Sequence, residues 1–530
     1  MKKVVIVLLL LFPFLANAQM GEWTWMNGDS TANSLGHFVT QGIFSPSNNP
    51  PGLYEACQWT DKEGNFWLFG GGEQGHHNDL WKFNPSINQW AWIKGSGGLV
   101  DQPGIYGTQG IPSPTNNPGG RMHGPMSWVD TSGNLWMFGG DGLGSIGDGI
   151  LGDLWKYTIS TNEWTWMKGP DTVNSAGIWG AIDFENSTNN PQARCENNST
   201  WTDSNNNLWL FGGEGSEITF LADLWKYNIS TNNWTWIKGP DSANAVPVFG
   251  TKGVPDISNN PRVRWCYSAW KAKNDDLWIF GGNYMGNDLW RYHITTKEWT
   301  WIGGDSNPGD TVAIGAQCNS LITNIPASRG ENRACWTRNC DNFVFFGGGS
   351  YAGVYNDLWN YNVSNNEWTL MNGSNYPNQP NHYGIRLVSS PYNIPSLRTG
   401  SLGFKDNFGN LWMFGGNGNG DLNDMWRYVP DTSCPHISCL GEGINEHSNS
   451  KSEITIYPSP TSGTFTLQYN LSSAGSLRIT DVLGREVYAY NLPNRSGQET
   501  ISLQLGQGIY FWQVLQEHSV SAKGKLVIIK

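Results

Sequence analysis

The sequence predicts an all-β protein: a six-bladed β-propeller closed by an N-terminal strand, followed by a small Ig-like β-sandwich. Three observations predict it. An apolar or aromatic run ending in Gly-Gly recurs six times, at Gly70-Gly71, Gly139-Gly140, Gly212-Gly213, Gly281-Gly282, Gly347-Gly348 and Gly415-Gly416, with 66 to 73 residues between successive copies. Each copy is followed by Asp-(Leu/Met)-Trp, with its tryptophan at 81, 155, 225, 290, 359 and 426. The chain carries 66 Gly and 30 Trp in 530 residues with only 14% charged. Glycine-rich, tryptophan-rich composition suits turns and strands rather than helix interiors, and the aromatic content argues against disorder.

The elements follow in order from the N-terminus. Lys2 and Lys3, the apolar stretch Val4 to Leu15 and Ala16-Asn17-Ala18 form a signal peptide over residues 1–18. Its apolar run is too short to span a bilayer and no later run reaches eighteen residues, so no transmembrane segment is expected. Export places the eight cysteines in a disulfide-permissive setting. Their pairing is open: Cys434 and Cys439 are close enough to pair locally, and Cys335 and Cys340 flank a hairpin turn with Cys318 nearby. The net charge of −12 disfavours nucleic acid and anionic membrane as partners.

Residues 19–431 hold the repeat, and each unit reads as four strands. The first precedes a turn such as Asp61-x-x-Gly64 or Asp130-x-x-Gly133, the second runs into Gly-Gly, and the third carries Asp-Leu-Trp. The fourth carries Trp90/Trp92, Trp164/Trp166, Trp234/Trp236, Trp299/Trp301, or Trp368 with Leu370. Trp-x-Trp places both rings on one sheet face, as a period of two requires. Such four-stranded units repeated in a ring are propeller blades. The sixth unit stops after Trp426 and Tyr428, and its missing fourth strand stands at the mature N-terminus as Trp23-Thr24-Trp25. Closure of this kind leaves no open sheet edge.

The links between units hold a near-constant length, 22 or 23 positions from the Gly after each fourth strand to the next aligned Pro. Twelve residues before each Pro stands Phe38, Tyr106, Trp179, Phe249, Ile314 or Tyr383. Surface loops ordinarily drift in length, so each link is expected to be a folded element with a repeated packing role. Up-and-down blades put these links on the same face as the variable loops after Gly-Gly, which makes that face the expected binding surface.

Arg121, Arg194, Arg264, Arg329 and Arg398 stand three residues after the aligned Pro, with Leu53 in the sixth slot. Two geometries are open. Each guanidinium pairs with a carboxylate or carbonyl of its own or the next blade, or the five form a cationic channel mouth that takes acidic glycans by bidentate contact. Tyr106, Trp179 and Tyr383 are the aromatic candidates for sugar stacking, with packing on the neighbouring blade as the alternative. His37, His76, His77 and His123 can approach one another on the link face, as a metal site or as solvated loop histidines. No metal, cofactor or catalytic residue is assigned. Gly-x-Ser-x-Gly, a phosphate loop and His-Glu-x-x-His are all lacking.

Pro-x-x-Arg, aromatic-Gly-Gly, Asn-Asp-Leu-Trp and a final Trp strand, six times in order, resemble the kelch family, although kelch units are typically about 50 residues. Kelch propellers of the galactose-oxidase type are similar in architecture and carry copper. Tyr292-His293 superficially supplies a pair for it, but Tyr292 aligns with Phe83, Tyr157, Tyr227, Tyr361 and Tyr428 as a repeat residue. The Asp-x-x-Gly-Asn-(Leu/Phe)-Trp turns approach a sialidase Asp box with the spacing one residue off.

Residues 432–452 read as a linker, and 453–530 as about seven short strands. Ile456-Tyr-Pro-Ser-Pro460, Asp481-x-x-Gly484-Arg485, Gly508-Ile509-Tyr510 and the terminal Lys-Gly-Lys-Leu-Val-Ile-Ile-Lys resemble the C-terminal sorting domain of type IX secretion in Bacteroidota, with Ser459 replacing the usual Asn. The resemblance implies the type IX machinery as partner, passage through the periplasm and release or outer-membrane surface attachment. The expected protein is a non-catalytic binder of glycan or protein ligands. An extracellular carbohydrate-active enzyme and a structural adhesion component are the alternatives.

Overall fold

The computed structural model describes residues 21–431, except 73–74, 199–200, 283–285, 308–314 and 339–340; residue 434; and residues 454–528, except 458–460, 472, 482–484, 494–495 and 517–518. The signal peptide, Ile314, Cys340, Cys439 and nearly all of the linker lie outside them. The chain divides into two compact units, 1–439 and 440–530. All regular structure among the described residues is β, and no helix is long and apolar enough to cross a membrane.

Among the described residues, the first unit holds six larger antiparallel sheets, five of four strands and one of five, and two small ones of three strands and two. Sheet one comprises Cys57–Thr60, Phe66–Phe69, Leu80–Asn84 and Gln89–Lys94. Sheets two to five begin with Met126–Val129, Trp201–Thr202, Ser268–Lys271 and Cys335–Thr337 and repeat the order. Sheet six takes Leu402–Lys405, Leu411–Asn417 and Asp421–Val429 from one end of the chain and Glu22–Asn27 from the other. In that last pairing Trp23 lies opposite Tyr428 and Trp25 opposite Trp426.

Tryptophan does two jobs in this architecture. Within a sheet, the first Trp of each fourth strand lies edge-on to the Trp of the third, as in Trp155/Trp164 at 6.3 Å and 87°. Between sheets, a first-strand indole donates to a backbone carbonyl of the next sheet: Trp59 to Trp136, Trp128 to Trp209, Trp201 to Trp270, Trp270 to Val344 and Trp336 to Phe404. The sixth first strand carries Phe404, which has no N–H and stacks on Phe66 of sheet one instead, 4.9 Å away. Each of six apolar clusters is built from two successive sheets, and one of them joins sheet six to sheet one.

The Gly-Gly step has a steric reason. Gly70 and Gly71 both have positive φ, and a Cβ on Gly70 would stand 2.4 Å from the carbonyl oxygen of Arg121 on the next sheet. Such backbone belongs to glycine. The second glycine then donates its amide across the junction: Gly71 to Arg121, Gly140 to Arg194, Gly213 to Arg264, Gly282 to Arg329, Gly348 to Arg398 and Gly416 to Leu53.

The long links are folded elements. Near the middle of each, one amide donates to the fourth strand of the sheet that follows, from Gly42 to Trp92, Gly110 to Trp166, Asp183 to Trp236, Gly253 to Trp301, Cys318 to Leu370 and Leu387 to Trp25. All six donors have positive φ. Two residues before the aligned Pro, Asn48, Asn116, Asn189, Asn259, Asn324 and Asn393 are buried, and each donates twice, to its own link and to the fourth-strand Trp carbonyl. Replacing Asn189 by Ala should cost about 1–3 kcal/mol, because the carbonyls of Phe184 and Trp234 lose their buried donor. Chemical denaturation checks this.

Cys434 does not pair locally. It is bonded to Cys318, 116 residues earlier, and joins the segment after the last strand to the link before sheet five. Sequence proximity favours a short loop, but the fold brings these two distant segments together. Cross-linking a loop this long should stabilise the fold by about 2–4 kcal/mol, so Cys318→Ser is expected to lower the thermal midpoint. An unchanged midpoint would show that the bond constrains nothing.

The second unit holds two antiparallel sheets, one of Thr455–Tyr457, Thr464–Asn470 and Ser496–Ser502 and one of Glu486–Leu492, Gly475–Thr480, Gly508–Gln516 and Ser519–Ile528. Both contribute to one apolar cluster containing Phe465, Leu467, Leu477, Ile479, Val514 and Leu526.

Candidate functional site at the junction of the inner strands

The five repeat arginines lie inside ion pairs. Arg121 pairs with Asp153, Arg194 with Asp223, Arg264 with Asp288, Arg329 with Asp357 and Arg398 with Asp424. Every guanidinium is at most 1% exposed. This is the pairing geometry, within one repeat unit, and it presents none of these five arginines at a channel mouth. The aspartate is the first residue of Asp-Leu-Trp, and the same carboxylate accepts the indole N–H two residues on, as in Trp225 to Asp223 at 2.7 Å. Leu53 takes the sixth slot because Asp79 is satisfied otherwise, by the amides of Gly97 and Gly98 and the indole of Trp92.

The aromatic candidates belong to the same networks. The hydroxyls of Tyr106 and Tyr383 donate to Asp153 and Asp424, and their rings pack on Trp155 and Trp426. Trp179 packs on Trp225. Burial next to an aspartate pushes both tyrosines well above their ordinary range.

Of the four histidines, two converge. His76 and His123 both approach Asp141, and His76 also meets Asp101 at 3.0 Å. His77 faces Asp79, and His37 bonds to the carbonyl of Ser47. Tyr292 is buried between Trp209 and Trp299, and His293 faces Asp276 and Thr296.

Two residues beyond each arginine slot the six inner segments meet. The residues there are Glu55, His123, Glu196, Cys266, Glu331 and Gly400, and all six have positive φ. Backbone bonds join them around the junction. Glu55 donates to Gly400, Gly400 to Glu331, Asn332 to Cys266, Cys266 to Glu196, Glu196 to His123 and Gly124 to Glu55. Side chains from different sheets thereby share one small space. The ligating atoms of Glu55, Glu196 and Cys266 all lie within 4.8 Å of one another, and Cys266 Sγ donates to Glu196 Oε2 at 2.6 Å.

Arg333 enters from sheet five. Its guanidinium donates to the carbonyls of Asn197, Ala56 and Pro125, on three other sheets. Glu55 is fully buried, its carboxyl meets that of Glu196, and neither of its oxygens has an N–H donor among the described residues. Burial raises its pKa well above the usual carboxylate range, with the charges of Glu196 and Glu331 adding and Arg333 opposing. Glu196 is pushed up to about 7, chiefly by burial. Burial and the same carboxylates raise the Cys266 thiol. Sequence reasoning missed this cluster. Its signal was that the position two residues past the arginine slot carries Glu, His, Glu, Cys, Glu and Gly, three carboxylates and a thiol at one place in the repeat. On the far side of the junction, residues from all six first strands or their ends, among them Gln58, Val129, Thr202, Lys271, Cys335 and Gly403, line a cavity of about 360 Å³.

Residues 455–530 match the secretion system C-terminal sorting domain. This tail implies a secreted or outer-membrane surface protein. The chain is also 23% identical over 283 residues to Multiple epidermal growth factor-like domains protein 8 of Homo sapiens, covering 51% of this chain and 8% of that protein. It is 22% identical over 216 residues to Kelch domain-containing protein 10 of Homo sapiens and of Bos taurus, covering 31% of this chain and 45% of theirs. The chain thus spans less than half the length of these curated relatives.

Proposed function

We propose that the first unit is a six-bladed kelch-type propeller, exported by the type IX machinery through residues 453–530, that binds glycan or protein ligands through its link-bearing face. The inter-sheet clusters and the backbone bonds around the inner junction support the ring. The observation that carries the binding reading is the links themselves. They are rigidly tied to the sheets, yet they carry large apolar side chains in solvent: Leu35 at 91% exposure, Val246 at 85% and Ile385 at 73%. Exposed apolar groups that share one cleft, as Ile182, Val246 and Ile257 do, mark interaction surfaces.

Clefts between successive links recur in equivalent places. One of about 480 Å³ is lined by Ile182, Val246, Ile257 and Lys297, and others involve Lys168 with Ile178 and Arg386 with His37. Recognition is assigned to these outward side chains, and the buried arginines and tyrosines position the links beneath them.

A glycan and protein binding screen tests the reading. A retained ligand lost in the Val246→Asp, Ile257→Asp double variant supports it. Turnover of a carbohydrate would favour the enzyme alternative, and self-association without ligand the adhesion alternative. Deleting residues 454–530 should trap the propeller in the periplasm; unaltered surface delivery would refute the export role.

A further inference from the structure

Glu55, Glu196 and Glu331 place three carboxylates at the inner junction, and the guanidinium of Arg333 is directed to backbone carbonyls rather than to Glu55. Glu55 has no exposed surface, its carboxyl meets that of Glu196, and among the described residues no N–H donates to either of its oxygens. A buried carboxylate in that position requires a counter-charge or a proton. The nearest groups are a second carboxylate, on Glu196, and a thiol, on Cys266, which supply further ligand atoms rather than a cation.

We propose that Glu55, Glu196 and Cys266 bind one divalent, thiol-preferring metal ion of the zinc class. Two carboxylate oxygens and one sulfur form a donor set that suits zinc, whereas calcium and magnesium take oxygen alone. Three protein ligands leave a fourth position for water or for Glu331. Separations within 4.8 Å fit ligands held at about 2.0–2.3 Å from a common ion, with Cys266 Sγ and Glu196 Oε2, now 2.6 Å apart in a hydrogen bond, parting as the thiol gives up its proton to bind. Glu196 is partly exposed, which leaves the ion a way in. The three ligands come from the starts of sheets one, three and four, so the ion acts as a staple across the junction. This assignment is independent of what the links bind.

The test uses the full chain, stripped with a chelator and titrated with Zn²⁺ and, separately, with Co²⁺. One equivalent of Zn²⁺ should raise the thermal midpoint, and Co²⁺ should give a near-ultraviolet sulfur-to-cobalt charge-transfer band. Cys266→Ser should abolish the band, and Glu55→Gln should weaken affinity at least tenfold, while His76→Ala, which alters the separate His76–Asp141 cluster, leaves both intact. No band in the wild-type protein overturns the proposal, whether or not the variants fold. Binding unchanged in Cys266→Ser and Glu55→Gln, or lost only in His76→Ala, overturns it as well.

Discussion

Replacing Asp223 by alanine is expected to destabilise the first unit by about 3–5 kcal/mol, the usual cost of stranding a buried charge. Asp223 holds Arg194 through two contacts, at 2.7 and 2.9 Å, and accepts the Trp225 indole. Without it the guanidinium keeps only the carbonyls of Gly212 and Gln192, with no compensating charge. Removing both partners should cost far less, because a matched apolar pair leaves nothing unsatisfied. Asp223→Leu combined with Arg194→Met is therefore expected to recover most of the loss. Denaturant titration of the two variants checks this. Equal losses would mean that the pair contributes real binding strength between strands rather than mutual neutralisation.

The second large effect concerns the N-terminal strand. Trp23 is fully buried, between Phe346 of sheet five and Tyr428 of sheet six, with ring centroids at 5.4 and 5.1 Å. Trp23→Ala should cost about 3–5 kcal/mol, as large aromatic truncations in cores do. Trp25 is only partly buried and should cost less when truncated. Deleting Glu22–Asn27 goes further, because Asp421–Val429 then becomes an unpaired edge. Such edges recruit other chains, so the deleted protein is expected to aggregate on heating where Trp23→Ala merely melts earlier. Clean, reversible melting of the deletion at the wild-type midpoint would contradict this.

Periodic features were legible because each reflects a local constraint repeated six times. The Gly-Gly step is forced by the approach of a neighbouring carbonyl, and the link aromatics at 38, 106, 179, 249 and 383 pack on the third-strand tryptophans and, at 38, 106, 249 and 383, on the second tryptophan of the fourth strand as well. The arginine slot was legible as a position but not as a role, since the choice between pairing and exposure depends on the distance to Asp-Leu-Trp in the folded sheet. Two features were hidden because they break the repeat. The Cys318–Cys434 bond joins segments 116 residues apart, and the Glu55, Glu196 and Cys266 cluster assembles from three sheets whose proximity exists only around the junction.

The account depends most on the N-terminal segment completing sheet six. Amide hydrogen exchange over residues 21–27 measures this directly. The pairing of Trp23 with Tyr428 and Trp25 with Trp426 predicts protection comparable to that of residues 421–429, with both segments losing it together on Trp23→Ala. Exchange at residues 21–27 as fast as in an unpaired terminus, with 421–429 still protected, would contradict the closure and the arrangement of links built on it.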